Sequence, residues 1–402
     1  MMFRTAAWAC ALVVTGAMQA VAAPACSNSG SFEKWLEGFK KDAVAAGVKV
    51  GTVSSTLDGM SADMSIISSD RKQGFFSQSF LDFSGKLATL NRVQSGIAKV
   101  RQQKATFDRE EKEYGVSPAV IAAFWALESD FGSGMGKKPV LRSLATLAYD
   151  CRRGEMFRQE LIYALKIIDR GDLRADEMIG SWAGELGQTQ FLPGHYYNYA
   201  VDYDGDGKRD LLRSNADIIA STANFIRSLG WKAGEPWLQE VRVPAQMAWE
   251  RAGLDIKHTR AEWAKMGVSA VGGQKLPADA MPASLLLLMG KNGPAFLAYP
   301  NFEVFTKWNQ SLNYAVTAAY LATRIAGAPA MSRGSSPVAS LEGQQVFELQ
   351  QLLANRGYKV GEPDGKLGAG TRLAIRQAQI KAGLPADGYP TPDFLGTLRS
   401  GR

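Results

Sequence analysis

The carboxylate best placed for proton transfer in this sequence is Glu128. It lies near the end of Ser117 to Gly132, a segment that opens with a capping Ser and a Pro suited to the first helical position, so it reads as a helix from Pro118. Phe124 and Trp125 stand four and three residues before Glu128, which puts the carboxyl on one face with two aromatic rings. Gly132 is expected to close the helix, leaving Glu128 in the last turn at the negative end of the helix dipole. Burial and dipole both disfavour the carboxylate, so the spacing predicts a raised pKa and a general acid working near neutral pH. Asp130, two residues on, projects to another face and does not pair with Glu128 as acid and nucleophile. Taken alone, a Glu that solvates a helix end or pairs with an Arg fits the same pattern.

Gly180 to Asp217 is the second informative segment. Small residues at its start let backbone approach a ligand, and polar Ser181, Gln188 and Gln190 stand among aromatics, the make-up of a sugar site. Tyr196, Tyr197 and Tyr199 read as packing rather than as sugar platforms. Further on, Asp202, Asp204, Asp206 and Asp210 occupy positions 1, 3, 5 and 9 of an EF-hand-like calcium loop with Gly207 at 6, and Lys208 offers its carbonyl. Position 12 is Arg213 instead of Glu, and Asp217 would supply the missing oxygen in a longer loop. A structural calcium and a metal-free Asx turn fit this pattern equally. No cofactor is required for the chemistry. Only His195 and His258 are present, neither at metal spacing nor in a hydrolase triad, and no glycine-rich phosphate loop occurs.

These residues need a scaffold, and the chain of 402 residues is long enough for two or three domains. Met1 to about Ala23 carries Arg4, an apolar run from Ala6 to Val14 and small residues at Ala20 to Ala22, which reads as a secretory signal too short to span a membrane. Export permits disulfides. With Cys10 removed, Cys26 and Cys151 are expected to pair. The formal charge of +7 favours acidic partners, yet Lys and Arg are dispersed, which argues against nucleic acid.

From Ser31 to about Ser228 the periodicity is helical, beginning with Phe32, Trp35, Leu36 and Phe39 behind a Ser cap. Short strands are expected at Val241 to Pro244 and Ser284 to Leu288, followed by one helix from Trp308 to Ala326. Ala328 to Ser340, rich in Ser and Pro, reads as a linker. Beyond it, Val346, Leu349, Leu352 and Leu353 mark a helix, Ala374 and Ile375 another, and the Asp364-Gly365 and Asp387-Gly388 turns suggest a small internally repeated unit. The fold class is mainly α with a small mixed α/β insertion and a small C-terminal three-helix domain.

The motifs ALESDFG, LATLAYDCRR, GELGQTQFLP, AVDYDGDGKRDL and KWNQSLNYA, in this order, resemble the membrane-bound lytic murein transglycosylase B family, glycoside hydrolase family 103, over about Ser31 to Ala326. That resemblance implies a lysozyme-like domain that cuts peptidoglycan glycan strands in the periplasm, with Glu128 as acid/base. It also implies that Ser181 and Gln190 line the cleft, that Asn309 and Tyr314 approach from the late helix, and that Asp217 completes the acidic loop. Members often carry Ala or Met where this chain has Glu185 and Leu186, so Glu185 adds a carboxylate beside the cleft. The last 60 or so residues are similar to type 1 peptidoglycan-binding domains, which would raise local substrate concentration.

The resulting division is a signal over residues 1–23, a catalytic domain over 24–327, a linker over 328–341 and a peptidoglycan-binding domain over 342–402. The protein is expected to act as a monomer. Its expected reaction cleaves the MurNAc-GlcNAc bond with substrate acetamido assistance and leaves 1,6-anhydroMurNAc ends; a hydrolytic muramidase and a non-catalytic wall-binding scaffold are the competing readings.

Overall fold

The computed structural model describes residues 30–71 and 78–401. The signal segment and Cys26 lie outside the described residues; Cys151 is disulfide-bonded. An outer set of helices, α1 (Phe32–Ala45), α2 (Val50–Leu57), α3 (Met64–Arg71), α4 (Phe80–Leu87), α5 (Leu90–Gln102) and α6 (Lys104–Tyr114), precedes the central α7 (Pro118–Ser129). The Ser31 hydroxyl accepts from the Lys34 N–H at 3.4 Å to cap α1, and Phe32, Leu36, Phe39 and Ala43 form its buried stripe. α7 has no polar face before its last turn, and Ala119 to Ala126 are all buried, so neighbours must enclose it. α5, α6 and α11 do so together with α14.

The chain continues through β1 (Lys138–Pro139), α8 (Val140–Tyr149), α9 (Gly154–Arg170), β2 (Ile179–Gly180), α10 (Pro193–Tyr199) and α11 (Asn215–Ser228). A five-stranded antiparallel insertion follows, in the order β4-β6-β7-β3-β5. Its strands are β3 (Leu238–Arg242), β4 (His258–Thr259), β5 (Ser269–Ala270), β6 (Pro282–Leu287) and β7 (Ala295–Ala298), with α12 (Arg260–Lys265) between β4 and β5. The two strands expected from sequence fall in β3 and β6. A separate core around Trp263, Leu285, Leu287 and Leu297 stabilises the insertion.

One expectation fails at a decisive place. The single helix from Trp308 to Ala326 is two, α13 (Phe302–Trp308) and α14 (Leu312–Ile325). Asn309 is extended, its Oδ1 accepts from the Ser311 N–H at 2.9 Å, and Ser311 caps α14. Polar Asn309 and Ser311 satisfy backbone groups locally, and this competes with helix continuation. α14 then packs its alanines, Ala315, Ala318, Ala319 and Ala322, into the core on which α7 also lies.

The C-terminal domain contains α15 (Gly343–Ala354), α16 (Ala369–Lys381) and α17 (Pro392–Arg399) around Val346, Leu349, Leu353, Ile375 and Leu395. The repeat read from its two Asp-Gly turns has a physical basis. Gln350 accepts from the Asp364 and Gly365 N–H groups and donates to Asp364 Oδ1; Gln379 accepts from Gly388 N–H and donates to Asp387 Oδ1. Each buried amide thus satisfies one turn.

This domain is not free on its tether. Arg372 is partly buried and donates to the Leu287 and Leu288 carbonyls, Arg376 is buried and ion-pairs with Asp255 at 2.5 Å, and Asp387 accepts from the Lys291 N–H. Burial lowers the Arg372 pKa only to about 10, so the guanidinium remains charged at neutral pH. The linker itself is pinned, with Ser332 bonded to Glu240 and the Ser335 N–H to the Asn292 carbonyl. Reach set by a flexible tether therefore does not describe this arrangement; the domain is docked on the insertion. Among the described residues no helix is long and apolar enough to cross a membrane.

Candidate active site

α7 ends one residue after Glu128. The reversal begins at Asp130 rather than at Gly132: Asp130 and Phe131 both adopt left-handed backbone, with φ of 49° and 58°. Such conformations cost about 1 to 2 kcal/mol per residue and persist where surroundings enforce them. The enforcing contact is Arg92 of α5, whose guanidinium grips both Asp130 oxygens at 2.5 and 2.8 Å. Asp130 is committed there, as its different face foretold. The Ser129 hydroxyl donates to the Gln188 carbonyl and accepts from Gly132 N–H, fixing the turn to the next loop.

The Glu128 carboxyl meets the broken helix. Trp308, the last residue of α13, donates its indole N–H to Oε1 at 2.9 Å, and the Tyr314 hydroxyl at the start of α14 donates to the same oxygen. Phe124 does share the site as expected, by stacking on Trp308 with centroids 4.0 Å apart. Trp125 instead turns its N–H to Gln188 Oε1 at 2.8 Å. Burial pushes the Glu128 pKa up to about 7; the Tyr314 and Trp308 hydrogen bonds pull it down, and the nearby Glu185 charge pushes it up. Relative to an ordinary carboxyl this is a preference of about 3 kcal/mol for the neutral form, similar to what burying one aromatic side chain returns.

With both donors on Oε1, that oxygen behaves as the carbonyl of a neutral acid. The proton belongs on Oε2, which has no hydrogen-bond partner among the described residues and is not sealed from solvent. Tyr314 is itself held protonated, since burial and the Glu128 charge raise its pKa well above normal. Trp308 was missed as a site residue, although the KWNQSLNYA motif contains it. Asn309 spends its side-chain oxygen on the turn rather than on Glu128.

The opposite wall is the Gly180–Phe191 loop. Pairing of Lys138 with Gly180 and Pro139 with Ile179 sets it beside the chain leaving Glu128. A Cβ on Gly136 would lie 2.1 Å from the Gly180 carbonyl oxygen, so only glycine allows this approach. Gln190, at φ 49°, donates to the Gly187 and Met135 carbonyls and ties the loop across. The Ser181 hydroxyl faces Glu185, donating to its Oε2 at 3.0 Å and accepting from the Ala183 and Glu185 N–H groups.

Of the six residues proposed as metal ligands, the structure gathers three. Asp202, Asp204 and Asp217 offer oxygens all within 4.8 Å of one another. Asp206 accepts from Lys208 N–H, whereas Asp210 pairs with Arg213 at 2.8 Å, which accounts for the cation at position 12. Asp217 is fully buried at the start of α11, and its pKa is raised by burial and by the Asp204 charge. The loop also buttresses the cleft, because Gln188 bonds the Leu211 and Leu212 carbonyls. Tyr196 is buried and hydrogen-bonded to Arg209 and Leu211, as a packing role requires.

A family model for the transglycosylase SLT domain matches residues 31–323. The chain belongs to this family of lytic transglycosylases. A peptidoglycan binding domain model matches residues 342–398. Membrane-bound lytic murein transglycosylase B of Escherichia coli (strain K12) is 32% identical over 250 residues, covering 61% of this chain and 67% of that protein. SltB3 of Pseudomonas aeruginosa, crystallised with NAG-anhNAM-pentapeptide, is 43% identical with a TM-score of 0.86, over 92% of this chain and 99% of its own. Slt35 of Escherichia coli in complex with calcium is 29% identical with a TM-score of 0.62, over 72% and 92%. The lytic transglycosylase neighbours share the mainly α architecture, so the fold class and the family resemblance read from sequence both hold.

Proposed function

We propose that this enzyme cleaves the β-1,4 bond between MurNAc and GlcNAc in peptidoglycan without consuming water and leaves 1,6-anhydroMurNAc ends. The observation that carries the reading is the Glu128 carboxyl, with Oε1 held by two donors and Oε2 free to give its proton to the leaving oxygen. As that bond breaks, the MurNAc acetamido oxygen bonds to C1. The C6 hydroxyl then attacks C1, the acetamido bond breaks, and the C6 proton passes to Glu128, restoring the acid. Crystals of SltB3 with NAG-anhNAM-pentapeptide and with NAG-NAM-pentapeptide support this substrate class for a relative nearly coextensive with this chain. The docked C-terminal domain would present the wall at a fixed position beside the catalytic domain, after export to the cell envelope. Mass spectrometry of muropeptides released from isolated sacculi should find anhydro ends. Reducing ends throughout would identify a hydrolytic muramidase and reject this reading.

We further propose a structural calcium held by Asp202, Asp204 and Asp217. Three converging carboxylates, one fully buried with its pKa raised, are the donor chemistry for a hard cation. The ion would neutralise their repulsion and stiffen the loop that bonds Gln188; it takes no part in the proton transfers. At a hundred times its dissociation constant, calcium should add about 2.7 kcal/mol of stability. Thermal melting with and without a chelator reads this directly, and Asp217→Asn should abolish the gain. A melting temperature indifferent to calcium in the wild type removes the proposal.

A further inference from the structure

Glu185 is a second carboxyl in the cleft, and the proton-transfer scheme above leaves it without work. Its setting is built rather than accidental. The Ser181 N–H donates to the Glu185 carbonyl at 3.0 Å, the Glu185 N–H donates back to the Ser181 hydroxyl at 3.2 Å, and that hydroxyl donates to Oε2. A Cβ on Gly180 would lie 2.0 Å from the Glu185 carbonyl oxygen, and one on Gly184 would lie 2.2 Å from Leu144 Cδ2. The loop therefore has no slack, and the carboxyl is held in one direction. Its other oxygen, Oε1, is unpaired among the described residues and remains accessible.

Ser181, by contrast, is used up. Its single proton goes to Glu185, and its oxygen already accepts from two N–H groups, so it has no donor left for a sugar or for Glu128. Glu185 Oε1 is the carboxylate oxygen this wall presents. Across the cleft stand Glu128 and Tyr314, close enough for the Glu185 charge to act on both. Burial raises the Glu185 pKa above that of an ordinary carboxyl, and the Ser181 hydroxyl and the Arg153 charge oppose it by favouring the ionised form.

We propose that Glu185 is a second catalytic carboxylate, accepting through Oε1 the acetamido N–H of the MurNAc unit whose bond is cut and so holding the acetamido oxygen against C1. This deepens the acetamido-assisted reading and rests on it. When the acetamido oxygen bonds to C1 and the glycosidic oxygen leaves with the Glu128 proton, positive charge develops on the acetamido N–H. A fixed anion accepting that N–H makes a charge-assisted hydrogen bond that strengthens as the charge grows. Glu185 takes no proton at any step. The cycle balances with Glu128 alone as donor and acceptor, and the C6 hydroxyl supplies the proton that returns to it.

The test uses the full chain with a GlcNAc-MurNAc thiazoline, whose ring nitrogen gains an N–H on protonation beside a carboxylate and then mimics the cyclised acetamido. Glu185→Gln keeps the side-chain shape and loses the charge. It should bind the thiazoline about 10- to 100-fold more weakly, the loss of one charge-assisted hydrogen bond, and turn over sacculi about 100-fold more slowly. Its remaining products should still carry anhydro ends, and Glu185→Asp should recover part of the rate. Wild-type thiazoline affinity and turnover in Glu185→Gln overturn the assignment. If the variant does not fold, the wild type bound to ¹⁵N-labelled thiazoline answers by NMR: a ring nitrogen bearing a strongly downfield proton supports the contact, and an unprotonated ring nitrogen overturns it. Reducing ends from the wild type would instead reject the closing step on the C6 hydroxyl proposed above, because water can attack the same cyclised acetamido, so the two failures are separable.

Discussion

Glu128→Gln should lower turnover of purified sacculi by roughly 10³- to 10⁴-fold, the upper range for losing a general acid, while binding to the wall stays at the wild-type level. The amide oxygen can still accept from Trp308 and Tyr314, so the pocket keeps its shape. What disappears is the proton on the free side of the group. Turnover within tenfold of wild type would remove Glu128 from the mechanism, and no lysis by either protein would favour the scaffold reading. The same variant carries a stability signature with a fixed sign. Glu128 has its folded pKa raised from 4.5 to about 7, so the folded state holds a proton that the unfolded state releases first. The stability this provides is complete below about 4.5 and is lost as pH rises through 7, at up to about 1.4 kcal/mol per pH unit. Glutamine does not titrate. Denaturant unfolding from pH 4.5 to 8 should therefore be flatter in the variant than in the wild type.

Which parts of this site were legible in the sequence depends on whether their causes are local. Glu128 and its environment were readable because helix spacing delivers Phe124 to the site and Pro118 starts the helix, whereas Trp125 turns to Gln188 and Ser117 makes no side-chain cap. Asp130 was readable as a bystander for the same reason. Tyr314 was reached by family resemblance and then found on the carboxyl. Trp308 was hidden because its role follows from a helix break. A continuous helix from Trp308 would not bring both residues to the same Glu128 oxygen in this way; ending α13 at Trp308 and recapping α14 at Ser311 does. The signal was present in the Asn309 and Ser311 side chains, which prefer local backbone bonds to helix continuation.

The acidic loop shows the same division. Its spacing named six ligands, but only three-dimensional convergence distinguishes Asp217, fourteen residues from its Tyr203 N–H partner, from Asp210, which Arg213 neutralises. Docking of the C-terminal domain was illegible for a stronger reason. The Ser- and Pro-containing linker carries the composition of a flexible chain, whereas the contacts that immobilise the domain are made by α16, more than thirty residues later, to carbonyls of β6 and its neighbours. Composition reports on a segment and not on what its far end will meet.

Tyr314→Phe tests the other half of the site, the balance that sets the acid near 7. Burial alone would hold the Glu128 proton too tightly to give away. The hydroxyl of Tyr314 and the indole of Trp308 oppose burial by stabilising the carboxylate formed when the proton leaves. Deleting the Tyr314 hydroxyl keeps the ring and removes one of these donors, so the Glu128 pKa must move further up. Two results are expected together. Turnover should fall about 100-fold, the usual cost of removing one donor from a developing anion. The alkaline limb of kcat/KM, which reports loss of the Glu128 proton in the free enzyme, should shift to higher pH. Trp308→Phe should move the limb the same way, since its N–H acts on the same oxygen. A purely structural lesion would lower activity without moving the limb. A limb that moves to lower pH would mean that Tyr314 raises rather than lowers the affinity of Glu128 for its proton, and the division of labour between the two oxygens would have to be reversed.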